Sequence, residues 1–403
     1  MIPIRRVSSR RKTTILLAFT SFVALAAVGV AQAIGSATTA MDVRTVTVRR
    51  AAGPPAGLFV ASGRVEGVRN GALAGEASSP LSGWIAPVAV PTADGGQLLY
   101  STWRELRHDD PKLSWSKQGI GPGDALATPT LRVHDFGSGR DTPVDKDSFS
   151  AAVRSDGTIA YVRGTDVYRA FTNYTGDVVV RSSLSARPVV WSTEPAEYVV
   201  AAWAGSTLLA YRIDEGEKLD VLAFGGPGRQ RLLMPDANLV AVSPDGRQAF
   251  LANEAGIPGS VSVVNVADGS IAATLDLGSL GQGILWAAYG GSWSGDLVAA
   301  PTNAGVAVFE VNGGAIALRE LLKNDPNTLA DGIVEPQFSG DTSHIVARGD
   351  QAPDGNAAPG DDTTTALDCD LTTATCLART TAPGSAWLHP AYNPSRPQRG
   401  GTS

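Results

Sequence analysis

Between about residues 84 and 382, short apolar runs alternate with polar, glycine-containing turns, and the alternation recurs as a block. Each block has two parts. The first is an apolar run, a tight turn and a second apolar run, clearest in LVAVSPDGRQAFLAN at residues 239–253. The second is a further hairpin, as in VSVVNVADGSIAATLDL at 261–277. Runs of this length bounded by Gly and Asp predict strands, because Gly takes positive φ without steric cost and Asp folds its carboxylate back onto the turn backbone. Continuous apolar runs predict strands covered on both faces.

Six first parts can be written out: PVAVPTADGGQLLYS from Pro87, SAAVRSDGTIAYVR from Ser150, PVVWSTEPAEYVVAAW from Pro188, LVAVSPDGRQAFLAN from Leu239, WAAYGGSWSGDLVAA from Trp286 and EPQFSGDTSHIVAR from Glu335. Their turns fall at Asp94, Asp156, Pro195, Asp245, Ser294 and Asp341. Most steps lie near the roughly 40–50 residues of a four-stranded unit. The longest contains an insertion at residues 105–128. Two hairpins make a four-stranded meander that cannot bury both faces alone. Repetition around a ring solves that problem, so the expected fold class is all-β, a β-propeller of four-stranded blades. The stretch SAWLHPAYNP at 385–394 looks like the start of another block. The pieces VRTVTVRR from Val43, GLFVASG from Gly57 and GALAGE from Gly71 are strand-like and lack a partner of their own. A C-terminal strand joining these N-terminal pieces would close the ring, and seven blades are favoured over six. Helical periodicity is confined to residues 319–324.

The SPDG turn in VAVSPDGRQAFLAN, followed by VSVVNVADGSIAATLDL, resembles the TolB-like and YVTN/WD40-like bacterial propellers. The resemblance covers residues 84–390 by repeat pattern and is strongest at 239–277. AFLAN stands where the YVTN tetrapeptide would be, and no Trp-Asp dipeptide ends the strands. The resemblance implies a propeller and a binding role in the cell envelope. It carries over no catalytic residue.

Composition narrows the class. The chain has 403 residues, 43% of them hydrophobic and 18% charged, so a large core is available and global disorder is not expected. The net charge of −6 gives no basic nucleic-acid footprint. Arg5, Arg6, Arg10, Arg11 and Lys12 precede the apolar stretch 13–30, and Ala31-Gln32-Ala33 offers a small-x-small cleavage site. This reads as a signal peptide over residues 1–33. An uncleaved membrane anchor is the other reading, since a spanning helix needs about 20 apolar residues. Either way the remainder is placed outside the cytoplasm. The expected organisation is then a linker at 34–42, the propeller at 43–394 and a disordered tail at 395–403.

The cysteines, Cys369 and Cys376, flank a turn at 371–374. Facing each other across one hairpin in an exported protein, they are expected to form a structural disulfide. Their spacing is not that of a CxxC redox pair, and a zinc site would need further ligands nearby.

Chemistry-bearing constellations are sparse. His108, His134, His344 and His389 lie far apart. The insertion brings together Trp103, His108, Asp109, Asp110 and Trp115. Long connections in compact folds carry function disproportionately, so this is the candidate partner loop; a solvated acidic loop is the bland alternative. The acidic stretch 349–362 lacks EF-hand ligand spacing. There is no GxSxG elbow, HExxH helix or Walker loop. FGGPGRQ from Phe224 is a glycine-rich turn with no helix pattern after it. No catalytic residue, metal or cofactor is assigned. The expected role is an exported, non-catalytic platform for a protein or cell-envelope component. No nucleic-acid partner is expected, and membrane contact only through the N-terminal anchor. The alternatives are a secreted propeller enzyme of lyase, lactonase or glycosidase type with an axial-funnel site, and a membrane-anchored sensory ectodomain.

Overall fold

The computed structural model describes residues 42–50, 57–61, 64–69, 72–78, 84–91, 97–106, 126–135, 137–164, 175–213, 219–253, 259–287, 290–324, 333–338, 342–351, 363–380 and 385–387. The chain divides between Ala40 and Met41, and every described residue belongs to the second unit. The signal or anchor segment 1–33, most of the linker 34–42 and the tail 395–403 lie outside the described residues. The first strand begins at Asp42.

Among the described residues the strands form six hydrogen-bonded sheets, and the fold is a β-propeller. The first blade combines Ser385–Trp387 with Gly57–Ala61, Arg64–Arg69 and Ala72–Ser78. The second is Trp84–Pro91, Gln97–Leu106, Leu126–Asp135 and Arg140–Lys146. One larger sheet holds Ser148–Val153, Ile159–Gly164, Thr175–Arg181 and Val189–Val190, then Ala196–Ala204, Thr207–Ile213, Leu219–Phe224 and Gln230–Met234. Among the described residues the two sets meet only at Thr175 with Glu197 and Gly176 with Ala196, so we divide the sheet there into a third and a fourth blade. The fifth is Ala237–Val242, Gln248–Asn253, Ser260–Asn265 and Ile271–Asp276. The sixth is Ser292–Ser294, Leu297–Thr302, Gly305–Asn312 and Ala315–Lys323. The seventh is Ile333–Phe338, His344–Gln351, Thr363–Asp370 and Thr375–Thr380.

Within the second to seventh blades the strands pair antiparallel in sequence order; the first puts the C-terminal strand before three N-terminal ones. First strands of neighbouring blades lie against one another, as Ser148–Val153 does with Ala196–Ala204, which puts them at the axis and the fourth strands at the rim. The core sits between blades. Val240, Phe250, Val263, Val298 and Phe309 fill the gap between the fifth and sixth, and Leu209, Val221, Leu239, Leu251 and Val264 fill that between the fourth and fifth. Successive residues of one strand thus serve opposite interfaces: Phe250 faces one neighbour and Leu251 the other. That is why the second strands read as unbroken apolar runs. Fully burying an aromatic or aliphatic side chain of this kind stabilises by about 1.5–3 kcal/mol.

The Asp-Gly turns at 156–157 and 245–246 form as the sequence indicates, while the turns at Asp94 and Asp341 lie outside the described residues. Asp156 accepts from the Thr158 amide at 3.0 Å, and Asp245 from the Arg247 amide at 3.0 Å. One block is out of frame. PVVWSTEPAEYVVAAW is not a first part. Val189–Val190 ends the third blade, Ala196–Ala204 opens the fourth, and the hairpin turn after it is Gly205-Ser206. The segment 319–323 is strand, not helix, because it continues the rim strand Ala315–Lys323.

The N-terminal pieces take two roles. Gly57–Ala61 pairs with the C-terminal Ser385–Trp387, Phe59 facing Trp387, and so joins the two ends of the chain in one sheet. The stretch 42–50 does not enter that blade. It divides at Val46 into two short strands running parallel to the rim. Asp42–Thr45 pairs with Ala315–Lys323 of the sixth blade, and Thr47–Arg50 with Thr375–Thr380 of the seventh.

Candidate functional site: the face of the long connections

Antiparallel alternation sorts the connections onto two ends of the strand stack. Those from first to second and from third to fourth strands share one end. Those from second to third strands, and those passing to the next blade, share the other.

Among the described residues, the first end carries tight turns closed by side chains. Asp135 accepts from the Ser138 amide at 2.8 Å, Asp268 from the Ser270 amide at 2.9 Å and Asp370 from the Thr372 amide at 2.7 Å. Hydrogen bonds from Gln97 and then Ser138 hold the Asp135 carboxyl down to about 2. The Asp156 carboxyl is held far below the usual carboxylate range, chiefly by Arg154 and then by the Thr158 amide. These aspartates are committed to their own turns.

The other end receives the long connections. Strands there are joined by residues 107–125 in the second blade, 165–174 in the third and 352–362 in the seventh, all outside the described residues. What is described is how the second blade approaches that end. Trp103 lies opposite Pro129 on one side and Trp84 on the other. Beyond it, among the described residues, Arg104, Glu105 and Leu106 pair only with Thr128, Ala127 and Leu126: the described part of the blade's first strand ends opposite Trp103, and its fourth begins its pairing at Thr130. Among the described residues, a two-stranded arm therefore runs past the four-stranded sheet toward this end. Of the candidate partner loop, Trp103 is placed at the base of the arm. His108, Asp109, Asp110 and Trp115 lie outside the described residues, as do His389 and the acidic segment 352–362.

An apolar pair that the sequence reading missed lies on the same end. Leu285 and Trp286, in the connection from the fifth blade to the sixth, are 66% and 50% exposed. Asn303 fixes them: its Oδ1 accepts from the Leu285 amide at 2.8 Å and the Trp286 amide at 3.3 Å, and its Nδ2 donates to Gly283 O at 2.9 Å. Trp286 was expected to open a strand. Only Ala287 forms a bridge, with Thr302, and the strand proper is Ser292–Ser294. Glu197, near this end of the fourth blade's first strand, has its carboxyl pushed up by burial.

The described histidines are not brought together. His134 is buried in the third strand of the second blade. His344 is on the seventh blade, its Nδ1 3.2 Å from Asp368 Oδ1, with both side chains more than a third exposed. Among the described residues no group of three His, Cys, Asp or Glu side chains could hold a metal ion. FGGPGRQ is a turn, Gly225 N donating to Arg229 O at 2.9 Å, and a strand follows it. Cys369 and Cys376 face each other across the outer hairpin of the seventh blade and form a disulfide with Cα atoms 3.9 Å apart. Such close spacing belongs to a non-hydrogen-bonded antiparallel pair, and the four-residue turn Leu371–Ala374 allows it. The bond fits an oxidising compartment.

No family model matches the sequence, and no curated protein matches it. Solved structures do. TolB from Acinetobacter baumannii is 14% identical, with 74% of this chain and 68% of that chain covered and a TM-score of 0.40. The putative TolB from Agrobacterium tumefaciens is 13% identical, covering 63% of this chain and 90% of that one, with a TM-score of 0.39. A prolyl endopeptidase is 13% identical over 84% of this chain but only 50% of that chain, with a TM-score of 0.48. The chain is similar to TolB-like and WD40-like propellers in fold.

Proposed function

We propose that this protein is an exported, non-catalytic propeller that binds a protein or cell-envelope component through the end where the long connections emerge. The supporting observation is the asymmetry of the two ends. Among the described residues, one carries tight turns whose polar groups bond to themselves. The other joins its strands through 107–125, 165–174 and 352–362 and presents Leu285 and Trp286 on a hydrogen-bonded scaffold. A rigid ring with long connections on one side is a platform for recognition. Trp103, at the base of the arm, and the segment bearing His108, Asp109, Asp110 and Trp115 are the proposed contact region.

The test is crosslinking capture on intact producing cells with tagged full-length protein. Residues 107–125 are replaced by a short turn in one variant, and the tight turn 154–158 is re-sequenced in another. One dominant envelope partner, lost with the first variant and kept with the second, is the expected result. No enriched partner, or equal capture by both variants, would sink the reading.

A further inference from the structure

The segment 42–50 and the disulfide of the seventh blade are parts of one structure. Blades diverge from the axis, so the gap between neighbours is widest at the rim. Between the sixth and seventh blades that gap holds Val306, Val308, Leu322, Phe338, Ile345, Leu367, Cys369 and Cys376, and Val46 belongs to the same cluster. Val46 is the residue at which 42–50 passes from one rim strand to the other. It is 2% exposed, and its amide donates to Lys323 O at 3.0 Å. The next amide, of Thr47, donates to Ala374 O at 2.9 Å, inside the turn that joins the two cysteine strands. Val48 stands in register with Cys376 itself. Arg44 adds a clamp from outside: it donates to Thr372 O at 2.7 Å, to Leu371 O and to Glu320. Under this cover Cys369 and Cys376 are 1% and 0% exposed.

We propose that 42–50 is a strap controlling chemical access to the Cys369–Cys376 disulfide. Docked, it plugs the rim end of the gap and covers the free edge of the cysteine hairpin. Lifted, it opens both. Thiol–disulfide exchange requires a thiolate to reach one sulfur in line with the bond, so exchange proceeds only from the lifted state. With dithiothreitol, one thiolate attacks a cysteine sulfur, the S–S bond breaks, and the other cysteine leaves as thiolate and takes up a proton. The second dithiothreitol thiol then displaces the first cysteine. Two electrons pass to the protein, which ends with two thiols, and the reagent ends as its cyclic disulfide. The reverse reaction, by which an oxidant makes the bond, needs the same access. The hairpin must therefore be oxidised before the strap closes, and the N-terminal segment becomes the element whose release makes the ring redox-sensitive.

The experiment follows dithiothreitol reduction of the full-length chain under native conditions, by alkylation of released thiols and mass measurement. Val46→Asp puts a charge in the plug and should release thiols roughly tenfold faster or more, the effect expected when a local opening replaces a rarer one. Phe250→Ala, which weakens the distant gap between the fifth and sixth blades, should leave the rate near that of the unaltered chain. Equal rates for Val46→Asp and the unaltered chain would overturn the proposal. So would equal acceleration by Phe250→Ala, because access would then come from unfolding of the ring. Amide exchange on the unaltered chain decides independently of whether Val46→Asp folds. Thiol release should track the opening of the Val46 and Thr47 amides; release tracking the Phe250 and Leu251 amides would refute the gate.

Discussion

Arg44 makes with the seventh blade the contact that Arg231 makes with the fifth. Each lies at a rim edge and donates to two consecutive carbonyls in the last turn of the next blade: Leu371 and Thr372 for Arg44, Val266 and Ala267 for Arg231. Arg231 comes from the fourth blade's own rim strand, whereas Arg44 comes from the strap laid over the sixth. The strap thus supplies at one junction what the repeat supplies at another. Burial pushes the Glu320 carboxyl up even with the Arg44 guanidinium beside it, so the pair serves orientation more than stability.

Arg231→Ala and Arg44→Ala should each destabilise by about 1–3 kcal/mol, the cost of removing a charged donor from partly buried acceptors. Lying on different junctions, the two losses should add within about 0.5 kcal/mol. Urea unfolding of the single and double variants measures both. A double variant no worse than either single one would mean that the two clamps act on one shared element.

Phe250 packs against Phe309 with ring centroids 5.3 Å apart and meets Trp293 edge-on at 6.3 Å. All three belong to the gap between the fifth and sixth blades. Phe250→Ala should cost about 3–5 kcal/mol through lost transfer energy and the cavity left behind. Phe250→Leu, which keeps most of the volume, should recover much of the loss in the same measurement.

Why the sequence disclosed some of this and not the rest is visible in particular residues. Asp156-Gly157 and Asp245-Gly246 announce their turns because their chemistry is local: the carboxylate closes a loop on an amide two residues away. Gly205-Ser206 carries no such carboxylate, while Thr193, Glu194 and Pro195 imitate a turn in the preceding connection, so the frame of that block slipped. VRTVTVRR was recognisable as strand. Its division at Val46 between two blades was not, because the partners of an edge strand are chosen by tertiary contact and leave no mark on its own alternation. Trp286 read as strand for the complementary reason. It is apolar, and the Asn303 side-chain carbonyl that its amide and that of Leu285 bond to lies in a different hairpin.

Acid should weaken the junction between the second and third blades first where Asp145 sits. Burial alone would push its carboxyl up. Hydrogen bonds from Tyr161 at 2.6 Å, Arg163 at 3.0 Å and Arg181 at 3.2 Å outweigh burial and hold it below the usual range. A carboxyl depressed in the folded state contributes stability that is fully present above the unfolded value, about pH 4. That contribution is lost as pH falls through the lower folded value. Asp135 acts in the same direction at the surface. Unfolding free energy followed from about pH 5 to about pH 2 should fall with acid, and Asp145→Asn should flatten that limb while lowering stability at neutral pH. An unchanged slope in the variant would remove Asp145 from the account.

Two glycines of the same turn type should respond differently to one added methyl group. Gly157 has φ of +88°, and a Cβ there would meet nothing within 4 Å. Gly157→Ala should therefore cost only the backbone strain of a left-handed non-glycine residue, about 1–2 kcal/mol. Gly246 has φ of +70°, and a Cβ there would lie 2.3 Å from Gly205 N and 2.8 Å from Ala204 C. Those atoms are backbone in the first turn of the fourth blade, so no side chain can swing aside. Either the turns of the fourth and fifth blades separate or the SPDG turn changes shape. In the second case Ser243 and Asp245 would lose the bonds at 2.8 Å and 3.0 Å that close it. Gly246→Ala should thus cost more than Gly157→Ala by at least about 1 kcal/mol, the scale of overpacking in a close-packed contact. Equal losses in urea unfolding would mean that the junction between the fourth and fifth blades yields freely. The close approach of Gly205 to Gly246 would then not be a constraint on the ring.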